Sequence, residues 1–459
     1  MKLLNLIKEF HPKIIIGLTI IVVTCVNFNI TFWSSTKVIE EDVAFYYSYL
    51  PSAFYYKDIS QHFLNDTSNQ FIETKYFGHS KPVNSNFVFK GTMGMAVSYL
   101  PFFVCAHFYA KIFSYPVTGY SEPYHFAIQF SSLLYFIFGL IFLAKILQFY
   151  FPNYIVSLVL LFITFGTNAL YYLTVGSGMA HAVNFSLASC FIFYTIKWHQ
   201  KSFLKRAVII GLLGGLLTLI RPINILVFIF FFLYNVKSLK DFSKKIKLFN
   251  KYKLQIMLIT ALGILIFLPQ LIYWKLQTGF WFFNSYQNEH FFFGNPHIFS
   301  GLFSFRKGWL IYTPIMIFAL MGIYTLYKTI KEFFYPVLVL FLIYIYVAFS
   351  WWCWWYGGSY GQRSLIDIYP FLAIPFAAFL FQLQHVSLFK KRIIYSVFTL
   401  LIFLNLFQTA QAKWNTIHFD SMTKEAYSDA FLRLTKNPER EKYLKHPNLE
   451  KALKGLEEY

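Results

Sequence analysis

The sequence predicts an all-α fold, a polytopic transmembrane helix bundle of about 11 spans. Three observations carry that expectation. Of the 459 residues, 57% are hydrophobic and only 13% charged, about half the charged share of soluble domains. Apolar runs near residues 14–33, 125–149, 154–173, 179–196, 254–274, 309–327, 333–350, 366–383 and 393–411 are each about as long as a bilayer is thick. The third observation is the distribution of charge. With the N-terminus cytoplasmic, the inner segments hold 20 of the 40 Lys and Arg residues but only three of the 20 acids, Glu9, Asp241 and Glu332. This is the asymmetry of the positive-inside rule. The net charge of +20 is therefore an orientation signal, and no nucleic acid is needed to explain it.

Taken in order, the first apolar run follows Lys2, Lys8 and Lys13, as a signal peptide would. It is long, however, and "NFNITFWSST" after it has no small-residue cleavage site, so it reads as a retained span. The stretch "GTMGMAVSYLPFFVCAHFYAKIF" (91–113) is apolar enough to cross. Crossing, with the other assignments kept, would invert every later loop and export the lysine-rich "NVKSLKDFSKKIKLFNKYK" (235–253); pairing it with one long span over 207–236 would restore parity but export the cationic 197–206 loop. It is expected instead as an amphipathic juxtamembrane segment on the outer surface, bent near Pro101. Residues 207–236 are broken by Arg221-Pro222. They read as two short helices meeting at the outer side, because Arg at mid-bilayer costs a few kcal/mol. The four cysteines show neither an arguable pairing nor a metal-ligand spacing. Residues 1–412 thus form one transmembrane domain, with 34–123 as its first extracytoplasmic segment. Residues 413–459 form a polar outer tail, unable to bury a core alone.

Three acids stand together in "KVIEEDVAFYYSYLP" (37–51), just past the first span. A helix beginning near Asp42 puts Phe45, Tyr46 and Tyr49 on its own face, with a carboxylate at the top of an aromatic stripe. Glu40, Glu41 and Asp42 equally suit the positive end of that helix as caps. Two more outer loops collect polar chemistry. "NSYQNEHFFFGNPHIFSGLFSFRKGWLIYTP" (284–314) carries Glu289, His290, His297, Arg306 and Lys307. "SWWCWWYGGSYGQRSLIDIYP" (350–370) carries Trp354, Trp355, Tyr356 and Arg363, with Asp367 one helical turn on and in reach of an Arg363–Asp367 pair. The tryptophans also suit an interfacial belt, and Arg363 a phospholipid headgroup. His181 in "GSGMAHAVNFS" suits a polar helix end as well as a ligand. Away from their ends the spans hold almost no ionisable residues, which disfavours an ion-coupled transporter. The polar residues lie at the outer leaflet, where a substrate with a lipid tail and a phosphorylated head would sit.

The acid after the first span and the outer-surface helix before the second resemble the C-type (GT-C) superfamily of membrane glycosyltransferases. Within it, the chain looks like the bacterial relatives of protein O-mannosyltransferases and lipid A aminoarabinose transferases. "DVAFYYSYLPSAFYYKDIS", "KGTMGMAVSYLPFFVCAHFYA", "GYSEPYHFAIQ", "GLFSFRKGWLIYTP" and "WWCWWYGGSYGQRSLIDIYP" look like an uncharacterised bacterial branch of it, over residues 12–385. The resemblance implies inverting transfer of a sugar from a polyprenyl-phosphate donor to a glycan, lipid or protein acceptor, at the outer face of a bacterial inner membrane. It places the catalytic acid at Asp42, with Glu41 and Glu40 beside it. Many members have an acid-x-acid pattern, which "EED" meets only through Glu40 and Asp42. Arg363, Arg306, Lys307 and Arg221 are the candidate phosphate cations. Tyr46, His181, Glu289, His290, Trp354, Trp355 and Tyr356 complete the candidate substrate site. No cofactor is assigned; some members use a divalent metal at the acidic position. Two other functions fit the same surface: a lipid-linked oligosaccharide polymerase or ligase, and a glycolipid flippase or transporter.

Overall fold

The computed structural model describes residues 11–62, 81–83, 86–238 and 240–456. Lys2, Lys8, Glu9 and residues 63–80 of the first outer segment lie outside that set. Among the described residues the chain is helical almost throughout, the sole strands being a short antiparallel hairpin, Lys81–Val83 with Asn86–Val88. Its principal helices are α1 (Pro12–Ile30), α2 (Gly94–Ile112), α3 (Glu122–Leu147), α4 (Asn153–Phe165), α5 (His181–Gln200), α6 (Leu204–Ile220), α7 (Lys253–Thr278), α8 (Met316–Thr329), α9 (Lys331–Phe349), α10 (Tyr369–Gln382) and α11 (Leu388–Lys413). By length and composition, seven helical segments among the described residues can cross a membrane: α1, α2, α3, α7, α9, α11 and Arg363–His385, which contains α10.

Local sequence sets each helix. Pro12 opens α1, where its missing N–H costs nothing, and the His11 ring accepts from the Lys13 N–H at 3.3 Å. Ile15, Thr19, Val23 and Asn27, each one turn apart, form the buried stripe of α1. The Asn27 amide at the end of that stripe donates to the Leu173 carbonyl at 3.1 Å. In α8, Gly322 permits close contact with α10, since a Cβ there would lie 1.9 Å from the Pro375 carbonyl oxygen.

Burial identifies the centre of the bundle. In the Arg363–His385 segment 89% of the apolar window is buried, against 17% in α7 and 22% in α11. The inner helix therefore begins with Arg363 and Asp367, and any charge there needs a partner.

Loops sort to two ends. At one end Gln255 accepts from the Trp198 indole at 2.7 Å and donates to the Ser202 carbonyl at 2.9 Å. Nearby, Lys237 pairs with Glu332 at 3.7 Å and the Lys245 ammonium donates to the Tyr234 carbonyl. These are the cationic segments that the sequence assigns to a single side. The opposite end gathers the acidic triplet, the 279–308 and 350–362 loops and the C-terminal tail. Helix α2 packs along α3: the Tyr135 hydroxyl, midway along α3, donates to the Ser98 carbonyl at 2.8 Å, and His107 bonds the Tyr124 hydroxyl at the start of α3 at 2.8 Å. The Met93 N–H, just before α2, donates to Gln270 at 2.8 Å.

The tail does not stand apart. Ile417, Met422, Ala426 and Ala430 bury themselves with Tyr312 and Tyr360, and Ala452 packs with Trp354 and Trp355. A segment too polar for its own core has borrowed one from the outer loops.

Candidate functional site

The helix that follows the triplet is Glu41–Tyr47, shorter than the aromatic stripe implies. A second short helix, Tyr49–Phe54, starts after Ser48, so the stripe divides. Tyr46 stays beside Asp42, whereas Tyr49 turns inward, stacks 4.0 Å from the Phe89 ring centroid and donates to the Gly91 carbonyl at 2.8 Å. The capping expectation is met in part: Glu41 and Asp42 stand in the first turn, at the positive end of the helix. Glu40 occupies the cap position with no side-chain capping bond, and Glu41 sits at φ 48°. A left-handed Glu is strained by about 1–3 kcal/mol, a cost that recurs at functional positions.

The Asp42 carboxylate meets Arg363, 2.6 Å from one guanidinium nitrogen. Their side chains are 28% and 15% exposed, so the pair borders solvent without being open to it. Arg363 therefore does not pair with Asp367, against the expectation from spacing. Residues 363–368 form a 3-10 helix, in which i and i+3 align and i+4 turns away.

Asp367 lies one layer deeper and is 1% exposed on its side chain. One carboxylate oxygen accepts from the His181 Nδ1 at 2.8 Å. The other accepts from Arg221 at 2.9 Å and from the Asn184 amide at 2.9 Å. Because a carboxylate only accepts, this contact gives the His181 proton to Nδ1. The network holds Arg221 in place, with its guanidinium 5.5 Å from the Tyr356 ring centre. Tyr356 is itself left-handed at φ 57°. The Asp367 carboxylate is thus compensated inside the bundle by charge and amide donors together.

Tyr46 and Tyr286 face both Arg221 and the Asp42–Arg363 pair. Burial pushes the Tyr286 hydroxyl up to about 12, and the Asp42 charge adds to the effect. The same two causes raise Tyr46. Both phenols are therefore neutral donors at any physiological pH. At the rim Glu289 pairs with Lys90 at 2.5 Å and accepts from the Trp352 indole at 3.1 Å. His290 is exposed and engages Trp352 through its backbone carbonyl at 3.1 Å.

Four candidates from the sequence fall elsewhere. Arg306 is 1% exposed and donates to the carbonyls of Asp420 and Lys445, with Trp355 stacked at 5.5 Å. Lys307, also 1% exposed, donates to the Ser359 carbonyl. Both cations are engaged by backbone carbonyls of the tail and the outer loops. Trp354 and Trp355 are likewise 1% exposed and packed beside Ala452, so neither offers a face to a sugar. A divalent metal also fits the triplet poorly, because Asp42 is already matched to a cation at 2.6 Å. Among the described residues, no set of three close ligand groups forms there.

Sequence reasoning missed Asn184, Asn224 (whose amide donates to an Asp367 oxygen at 3.5 Å), Tyr286 and Lys90, and gave Asp367 the wrong partner. The pattern HAVN and RPIN was a usable signal, placing an amide one turn after a His and an Arg in apolar surroundings. Compared with models of known protein families and with curated proteins, the chain matches none.

Proposed function

We propose that the chain is an inverting glycosyltransferase of the bacterial inner membrane, moving a sugar from a polyprenyl-phosphate donor to a glycan, lipid or protein acceptor. The observation that carries this reading is the meeting of Asp42 with Arg363, beside Arg221, at one end of an apolar bundle. In this reading the chain crosses about 11 times. Its N-terminus is cytoplasmic, the site is extracytoplasmic and α2 lies along the outer surface. Supporting that reading, the C-terminal part of α2 meets the start of α3 through His107 and Tyr124.

Chemistry assigns the roles. An acceptor hydroxyl is a weak nucleophile, and the Asp42 carboxylate takes its proton as the oxygen attacks the anomeric carbon. The bond from that carbon to the phosphate oxygen breaks on the opposite face, which inverts the centre. The lipid phosphate leaves with added negative charge, stabilised by Arg363 and by Arg221 held on Asp367. Donor phosphate and Asp42 compete for Arg363, so donor binding releases the carboxylate for catalysis. Tyr46 and Tyr286 donate hydrogen bonds at the head group, and Tyr356 backs Arg221. Glu289 and His290 lie at the rim on the acceptor side.

The test uses membranes containing wild-type protein or Arg363→Ala, given a polyprenyl-phosphate-sugar extract and assayed for release of polyprenyl phosphate. The reading expects release with wild type and a loss of about 100-fold or more in the variant. Equal release from membranes lacking the protein would overturn it. Transport of intact glycolipid across sealed vesicles, without release, would favour the flippase.

A further inference from the structure

We propose that the C-terminal tail carries a divalent transition-metal site built from His418, Asp420 and His446, separate from the site around Asp42 and independent of the proposed reaction. Each residue presents one ligand atom, and the three atoms lie within 4.8 Å of one another. Two imidazoles and one carboxylate form a donor set suited to zinc rather than to calcium or magnesium.

The local hydrogen bonds point to a cation. The His418 Nδ1 accepts from the backbone N–H groups of Asp420 at 3.3 Å and Ser421 at 3.2 Å, so it carries a lone pair, and an ion taking that lone pair displaces both long contacts. An Asp420 carboxylate oxygen, also an acceptor, lies 3.2 Å from that nitrogen. Two acceptors this close repel unless a proton or a metal ion lies between them. For tetrahedral zinc with bonds of about 2.0–2.1 Å, neighbouring ligand atoms are about 3.3 Å apart, close to the separation seen. The Ser421 hydroxyl lies 2.6 Å from the same carboxylate oxygen and 2.9 Å from the His446 Nδ1. It ties the third ligand to the other two and gives the site outer support.

The scaffold is in place before any ion arrives. Arg306, buried, bonds the backbone carbonyls of Asp420 and Lys445, and the Lys445 N–H donates to the Ser421 carbonyl at 3.0 Å. The two ligand-bearing segments are therefore already held side by side. His446 is 63% exposed and turns inward at little cost, leaving the fourth position to water. Arg306 stands behind Asp420, bonded to its carbonyl, and its charge makes the site weaker than a four-ligand structural zinc site. A bound ion would cross-link the start of the tail to its far segment.

The experiment uses the full untagged chain in detergent, stripped with chelator and dialysed against zinc chloride. Zinc is counted by mass spectrometry and affinity is read by competition with a chromophoric chelator. Wild type is expected to hold one zinc per chain, and His446→Ala and Asp420→Asn to weaken it at least tenfold. Zinc is also expected to slow proteolysis of the tail in wild type and not in His446→Ala, whose exposed position leaves zinc-free melting unchanged. Equal affinity in wild type and His446→Ala, or no zinc retained by wild type, would overturn the proposal.

Discussion

Replacing Asp367 with Asn tests whether the inner carboxylate is a scaffold, as its burial indicates. Asn keeps the shape but substitutes an NH2 for one oxygen. That group must face a donor: His181 at 2.8 Å on one side, or Arg221 and Asn184 at 2.9 Å on the other. The change also leaves the Arg221 charge without its counterion. Removing one partner of a buried ion pair costs about 3–5 kcal/mol. Asp42→Asn is a useful comparison, because its pair with Arg363 keeps 28% and 15% exposure. Water then replaces much of what is lost, and the expected cost is nearer about 1 kcal/mol. Reversible unfolding in mixed micelles, followed by tryptophan fluorescence, measures both variants. Asp367→Asn is expected to lose at least twice the stability that Asp42→Asn loses. The double replacement Arg221→Met with Asp367→Leu is expected to lose less than Asp367→Asn alone, because no charge is left unpaired. Equal losses for the two single variants would refute the scaffold argument.

Two further predictions concern the outer loops. Arg306→Met strips donors from two carbonyls packed in the interior. At about 1–3 kcal/mol for each unsatisfied group, the tail is expected to loosen while the bundle holds. Hydrogen exchange over residues 415–456 reads this directly, and unchanged protection there counts against the fastening role. Lys307 is the second case. Burial first, and then the neighbouring Arg363, push its ammonium well below the usual lysine range. The unfolded chain therefore binds a proton that the folded chain has released, between the depressed value and the ordinary one near 10.5. Stability contributed by this group rises with pH through that window. Lys307→Met is expected to flatten the rise in thermal melts, and identical slopes in both proteins would contradict the assignment.

What the sequence made legible follows from the physics of each signal. Helix type and the grouping of loops at two ends rest on hydropathy and charge counts, which sum over many residues and survive local surprises. Asp42, Arg363 and Arg221 were singled out the same way, as charges at the ends of apolar runs, and the structure brings them together around Tyr46. Their pairing was not legible. Whether Arg363 meets Asp42 or Asp367 depends on a 3-10 turn at 363–368 that spacing does not reveal. The carbonyl bonds of Arg306 and Lys307 were not legible, because a cation in an outer loop looks the same whether it faces solvent or a buried carbonyl. Trp354 and Trp355 misled for a related reason. The tail that covers them is polar, and nothing in its composition announces that Ala452 will pack there. Asn184 and Asn224 were readable in principle, each one turn beyond a His or Arg that needed a partner.

The claim at the centre of this account is that Asp42 is the base, and one comparison addresses it most directly. Cells lacking the protein would be complemented with wild type or with Asp42→Asn at matched membrane levels. Surface glycans and lipid-linked sugars would then be read by mass spectrometry. The account predicts that Asp42→Asn matches the deletion, with one glycan short of a sugar and its polyprenyl-phosphate donor accumulating. A glycan profile identical to wild type, in cells where the deletion does alter that profile, would contradict it.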